Sequence, residues 1–553
     1  MIKIIIIFLI LVGNALAFVS ETPTLPQLDV DTTYSLPTGG TTYTPGTAAQ
    51  LQSDITSASR GDVIVLEAGT TYTATSSAGF SFPDKGAGSD WIYIISDGLA
   101  SLPAGTRVGA SDSSYMPSVQ AQAGGGGNRI ISFASGADHY RFVGINFNQD
   151  NESSNRQTIG LCVDTEAGTC NSVATCPQYI IFDRIILHGN TSAEMRQGIR
   201  LFGSNLAVID SYIYDVVETG ADNYAIFLLN SPGPVLIKNN YLSAAGMSVF
   251  SGGADAASAA MMPQDVTIQQ NHMFKPLAWG AAGYQIKNHL ELKMGQRFLI
   301  EGNIFENMWV EAQWHSIKLK SENQDGGAET WTVTEHVTFR YNKILNVGNA
   351  INISDNVNDP ESLATNANHF YFHDNLIVIN DSFSYGSASP FLQNYWEVDD
   401  LIVDHNTVVG GGGYRMFYMG GNQEETLDLI NNIYLFGSEA IRTDGSAGGT
   451  ASLDASYAAW AATNNAWVGG SASGYPSGNF YPANWAAIGF VDYQADGSGD
   501  YRLDTGSTYE NAGTDGKDLG ADIDALEAAL AGEEDTPSTI IKKIMNFFRR
   551  LRG

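Results

Sequence analysis

The chain has 553 residues, 43% of them hydrophobic, and a formal net charge of −31. So large an acidic excess excludes a nucleic-acid partner, which needs a basic footprint. It also makes a polyanionic substrate awkward unless basic residues gather locally or a cation intervenes.

Residues 1–17 read as an export signal: Lys3, the apolar run IIIIFLILV, then the small-x-small site Ala15-Leu16-Ala17. That run is shorter than the roughly 20 residues a membrane span requires. The mature chain is therefore expected to begin near Phe18 and to be secreted, extracellular or on the cell surface. Residues 18–47 form an N-terminal extension. AAQLQSDITSAS (48–59) is an amphipathic helix, and GDVIVLEAGTTYT (61–73) carries strand signals. Cys162, Cys170 and Cys176 lie within fifteen residues, which in an exported chain predicts one local disulfide and one thiol left over. N-x-S/T sequons begin at Asn151, Asn190, Asn352 and Asn380 and matter only in a host that glycosylates.

From residue 139 onward the chain repeats. HYRFVGINF, YIIFDRIILHG, LAVIDSYIYD, PVLIKNNYLS, DVTIQQNHMF, RFLIEGNIFEN, HVTFRYNKIL, HFYFHDNLIV, DLIVDHNTVV and TLDLINNIYLF align on anchors at 145, 185, 212, 240, 271, 303, 342, 375, 406 and 432. The period runs from 26 to 40 residues. Three positions before the anchor stand Phe142, Phe182, Ile209, Ile237, Ile268, Ile300, Phe339, Phe372, Val403 and Leu429, and two positions after it the side chain is again apolar or aromatic. Alternation with a period of two marks short strands with one buried face, and units this short must stack to bury a core. Asn240, Asn271, Asn303, Asn342, Asn375, Asn406 and Asn432 occupy consecutive anchors. Stacked rungs lie about 4.8 Å apart, so each amide can donate to the next. Asparagine also tolerates the left-handed backbone of a corner. The ladder is structural.

Together these features resemble the right-handed parallel β-helix of the pectate-lyase-like superfamily, over roughly residues 40–450. The fold expected is all-β, a solenoid of about ten or more coils over 48–445. Its helical cap is 48–59, and 446–531 forms an irregular segment that closes the C-terminal end. A β-propeller fits the short period poorly. Residues 532–553 form a linker and a basic amphipathic helix, with Ile540, Ile541, Ile544, Phe547, Phe548 and Leu551 on one face. This helix suits a membrane surface or a partner protein.

The candidate site lies in IKNHLELK (286–293) and SIKLK (316–320). With Leu290, Leu292, Ile317 and Leu319 facing the core, alternation turns Lys287, His289, Glu291, Lys293, Ser316, Lys318 and Lys320 outward on adjacent coils. The contrast with an otherwise lysine-poor chain suggests a basic site, although cross-strand Glu–Lys pairing on a solvated face produces the same pattern. Such a patch suits β-elimination of a uronate polymer. Lys293 or Lys318 would be the base, its pKa depressed by like-charged neighbours. Lys287 and Lys320 would hold carboxylates, and His289 is a second proton carrier. Trp309, Trp314 and Trp331, with Tyr395 and Trp396, offer faces for sugar rings. The superfamily resemblance implies Ca²⁺ as a candidate cofactor, with Glu291, Asp325 and Glu329 as ligands, although their spacing matches no calcium motif. Hydrolysis would need paired carboxylates, for which Asp374, Asp399, Asp400 and Asp404 are available. The reading favoured is a polysaccharide lyase. A glycan-binding adhesin, a glycoside hydrolase and a structural spike are the alternatives.

Overall fold

The structure is a computed structural model that describes residues 18–122, 129–150, 154–155, 158–161, 170–190, 193–324, 327–355, 363–383, 391–396, 398–411, 415–420 and 424–531. The export signal, Cys162, Asp325, Asn151 and the basic C-terminal segment fall outside these residues.

Three sheets of fourteen, thirteen and twelve strands run the length of the molecule, and every neighbouring pair within them is parallel. The chain passes from the first sheet to the second, then to the third, and returns to the first one rung further on. This is a right-handed parallel β-helix, the hand that parallel crossovers adopt almost without exception. The apolar side chains facing the axis merge into one continuous core. The helix Ala48–Ser57 covers its first rung with Leu51 and Ile55, and Thr47 caps the helix by accepting from the Gln50 N–H.

Phe142, Phe182, Val208, Ile237, Ile268, Ile300, Phe339, Phe372, Val403 and Leu429 stack in one interior column. The anchor at 212 is therefore off by one. The rung position belongs to Ser211, whose N–H donates to Asn240 Oδ1 at 2.9 Å. Ile209 points outward instead, against Val30.

The ladder itself is continuous from Asn240 to Asn432. Each Asn Nδ2 donates to the Oδ1 of the next rung and to a main-chain carbonyl, while each Oδ1 also accepts the preceding rung's backbone N–H. Around Asn303 these distances are 2.9–3.0 Å. The rungs are buried, so the amides' hydrogen-bonding capacity is met inside the protein. Asn465 and Asn479 extend the ladder past the last anchor. The left-handed residue at this corner is the one before each asparagine. Asn239, Gln270, Gly302, Tyr341, Asp374, His405 and Asn431 have φ of 49–65°. The ladder amides hold the corner together, and their predecessors bend it.

Two segments lie along the outside of the stack. Residues 18–34 run as an extended strap over the first sheet, from Asp428 near its last rungs, past Asp400, His336 and Asp265, to Arg141 near its start. The C-terminal segment departs from the expected end cap. Tyr475 and Tyr481 do pack over the final rung against Trp467. The chain then turns back along the second sheet, where the antiparallel pair Phe490–Asp492/Asp500–Leu503 and the helix Ile523–Ala531 cover Leu376, Val378 and Val409. One further coil, Tyr457–Thr463 with Ala466–Val468, lies beyond the point where the repeat fades from view.

Candidate functional site

Among the described residues the third sheet carries neither terminal segment. Its outward column reads Arg200, Phe227, Phe250, Glu291, Lys318, Asn352, Gln393, Tyr418 and Arg442 on successive rungs. The first three are covered by an apolar cluster that includes Met247, Met261, Met262 and Met294. The cover ends where the charges begin. Stacking of the strands Leu290–Leu292 and Ile317–Lys320 brings Glu291 and Lys318 side by side, and Lys293 and Lys320 follow two residues on.

Glu291 is 2% exposed and sits among ammonium groups: Oε1 is 3.5 Å from Lys293 Nζ and 3.9 Å from Lys318 Nζ. Glu322, unmarked by the sequence pattern, closes the cluster, 3.1 Å from Lys293 and in contact with Lys320. Lys287 is held at the margin by Asp222 at 2.6 Å. Four lysines thus meet three carboxylates, so the local charge is close to balanced despite the acidity of the chain.

The pKa directions separate these groups. Burial pushes the Glu291 carboxyl up, but Lys293, Lys318, Lys287 and Lys320 together outweigh it and hold the group below its ordinary value. Burial pulls Lys293 down, yet its place between Glu291 and Glu322 raises it overall. Lys320 is lowered to about 8, chiefly by burial, with Lys318 and Lys293 adding to the effect and Glu322 opposing it. The mutual depression expected of Lys293 is therefore reversed by its carboxylates. Lys320, expected only to hold a substrate carboxylate, is instead the lysine of this cluster whose pKa is lowered.

His289 does not face the groove. The chain bends at this corner, so His289 and Ser316 point inward, both with 0% exposure. His289 Nδ1 lies 2.9 Å from Ser316 Oγ, and Nε2 lies 3.0 Å from the Glu306 carbonyl. Burial, with Lys275 nearby, holds its pKa well below the usual value, so it is a neutral structural imidazole and no proton carrier for a ligand. The preceding column takes the outward place: Asn288, His315 and Asn349 are stacked through Asn288 Nδ2 to the His315 carbonyl (2.6 Å) and Ser316 N–H to the Asn349 carbonyl (3.0 Å). One rung earlier the same column holds Met247, a member of the outer cluster. Asn288 Oδ1, His315 Nε2 and Asn349 Oδ1 are buried without a hydrogen-bond partner among the described residues. Burial lowers the His315 pKa to about 3, with Lys318 contributing. Buried polar atoms left unpaired in this way are costly.

The aromatic residues separate by environment. Trp309 packs on the core and Trp331 on the outer cluster, while Trp314 is 39% exposed just before His315. Tyr395 lies edge-on to Tyr418 further along the sheet, with centroids 5.4 Å apart. The aspartates expected for hydrolysis are engaged elsewhere. Asp374 accepts from Asp522 N–H, Asp404 from Tyr371 and Asn431, and Asp400 from Glu21 N–H and Thr426. Ca²⁺ does not suit Glu291, whose oxygens face ammonium groups, and Glu329 is exposed. Among the described residues no cluster of three or more His, Cys, Asp or Glu side chains could hold a metal ion. Cys170 and Cys176 form a disulfide beside the outer cluster.

No family model matches the chain, and no curated protein matches it. Among solved structures it is similar to PfbA, a surface adhesin of Streptococcus pneumoniae, at 10% identity over 69% of this chain and 86% of that one, TM-score 0.41. It is also similar to the A-module of a mannuronan C-5 epimerase from Azotobacter vinelandii, at 12% identity over 72% and 90%, TM-score 0.43. A mannuronic acid specific polysaccharide family 6 lyase from human gut microbiota matches at 11% identity over 80% and 90%, TM-score 0.43.

Proposed function

We propose that this protein is a secreted polysaccharide lyase that binds an acidic glycan along the outer face of its third sheet and cleaves it by β-elimination. The observation that carries this reading is Lys320: an ammonium with a pKa of about 8, set in a row of lysines on the long sheet face that the terminal segments leave bare. β-Elimination next to a uronate carboxylate requires that carboxylate to be neutralised and the neighbouring C–H proton to be removed. Lys318 supplies the neutralising charge. Lys320, in its amine form, takes the proton as the C–O bond to the departing sugar breaks and the ring gains a double bond. The departing oxygen takes a proton from solvent. Lys293, held charged between Glu291 and Glu322, keeps the local potential positive.

The test is incubation with pectins, alginates and glycosaminoglycans, following absorbance in the unsaturated-uronate band. A rise that disappears in Lys320→Met supports the reading. New reducing ends without absorbance would make the protein a hydrolase, and retention without products would make it a binding protein. Either outcome overturns the lyase assignment.

A further inference from the structure

The strap over the first sheet begins at a buried carboxylate, Asp428, that has no cation among the described residues. Val19 and Ser20 donate their backbone N–H groups to the two oxygens of Asp428, at 3.2 and 2.8 Å. Asp428 is 1% exposed, and the ring of Phe18, the residue before Val19, lies edge-on to Tyr371 two rungs away, centroids 5.7 Å apart. The other charged groups facing this place are Asp400, Glu21 and His369. Asp400 accepts from Glu21 N–H, and His369 Nε2 lies 3.4 Å from Glu21 and 3.5 Å from Asp400. Among the described residues no Lys, Arg or His comes within 4.0 Å of the Asp428 carboxylate. Burial, to which Asp400 adds, raises its pKa, so two backbone amides do not fully offset its desolvation.

The sequence places a cleavage junction, Ala15-Leu16-Ala17 followed by Phe18, one residue upstream of the first of those amides. We propose that peptide cleavage between Ala17 and Phe18 completes the fold: the α-ammonium released on Phe18 pairs with Asp428 and fastens the strap along the first sheet. In the cleavage a water adds across the amide, leaving a carboxylate on Ala17 and an amine on Phe18 that binds a proton. Neighbouring residues are about 3.8 Å apart along the chain, so an ammonium on Phe18 lies within a side chain's reach of oxygens already bonded to Val19 and Ser20. Before cleavage the same nitrogen is a neutral amide and the pocket keeps its uncompensated charge. Asp428 in the precursor is then met only by neutral donors from the strap, and removal of the signal converts a loose end into a clasp.

The test compares two forms of the mature chain, one beginning at Phe18 and one carrying a single glycine ahead of it, each with and without Asp428→Asn. Hydrogen exchange of residues 19–34 at neutral pH is the readout. The glycine extension is expected to speed exchange about tenfold in the parent chain and to change nothing in Asp428→Asn. Should Asp428→Asn fail to fold, the parent comparison alone decides. Equal exchange in the two parent forms overturns the proposal, as does N-terminal sequencing of the exported protein that finds a first residue other than Phe18.

Discussion

The asparagine ladder and the lysine cluster both set polar side chains of one type close together on neighbouring rungs, yet they differ in how completely each closes on itself. A carboxamide donates and accepts in equal measure, so identical neighbours satisfy one another and the column ends up neutral and inert. Ammonium groups only donate. The lysine cluster therefore depends on Glu291, Glu322 and Asp222, and its members receive unequal shares of negative charge. Lys293, between two carboxylates, rises, while burial, with Lys318 and Lys293 nearby, lowers Lys320. Neighbouring groups whose pKa values are driven apart are the arrangement that acid–base chemistry uses. Repetition alone thus separates scaffold from site poorly, and the hydrogen-bonding valence of the repeated residue separates them well.

Four substitutions break or sharpen this contrast. The largest effect is expected from Lys320→Met, which should cut the elimination rate by about 10²–10⁴-fold, the usual contribution of a positioned base, while thermal unfolding moves little. Asn303→Leu should do the reverse. It orphans the donors of Asn271 and the main-chain carbonyls that Asn303 served, at a cost of about 3 kcal/mol read by denaturant unfolding, and leaves the pH profile of cleavage unchanged. Glu291→Gln tests the charge balance with a smaller loss, about 1–3 kcal/mol at neutral pH. Because the folded-state pKa of Glu291 lies below its ordinary 4.5, its stabilisation is present above that value and lost as the pH falls through the folded pKa. The glutamine variant should lose that part of the acid sensitivity. Trp314→Ala is expected to be mildest, raising KM about fivefold with kcat unchanged if its exposed ring only helps hold substrate.

The fold was readable because a buried rung must repeat its apolar spacing, and the ladder asparagines marked the corners. It was misread where an outer layer changed the pattern. Ile209 looked like a core residue because Val30 of the strap makes the outside of that strand apolar too. The coil at Asn465 was overlooked because Ala462 stands where earlier rungs carry a large side chain. The strap and the returning C-terminal segment left no periodic trace, since each touches the stack through scattered single contacts. At the site, alternation placed Glu291, Lys318 and Lys320 on one face. It failed at His289 because a corner, which the period of two cannot show, turns two successive residues inward. Lys320 could not be singled out because its lowered pKa comes chiefly from burial, which the alternation does not show.

The most direct test of the account is the pH dependence of the initial cleavage rate. With Lys320 as base, the rate should rise with pH and reach half its maximum near pH 8, the value at which half of that amine is unprotonated. A rate that is flat across that range, or half-maximal near pH 4–5 as a carboxylate base would give, would contradict it.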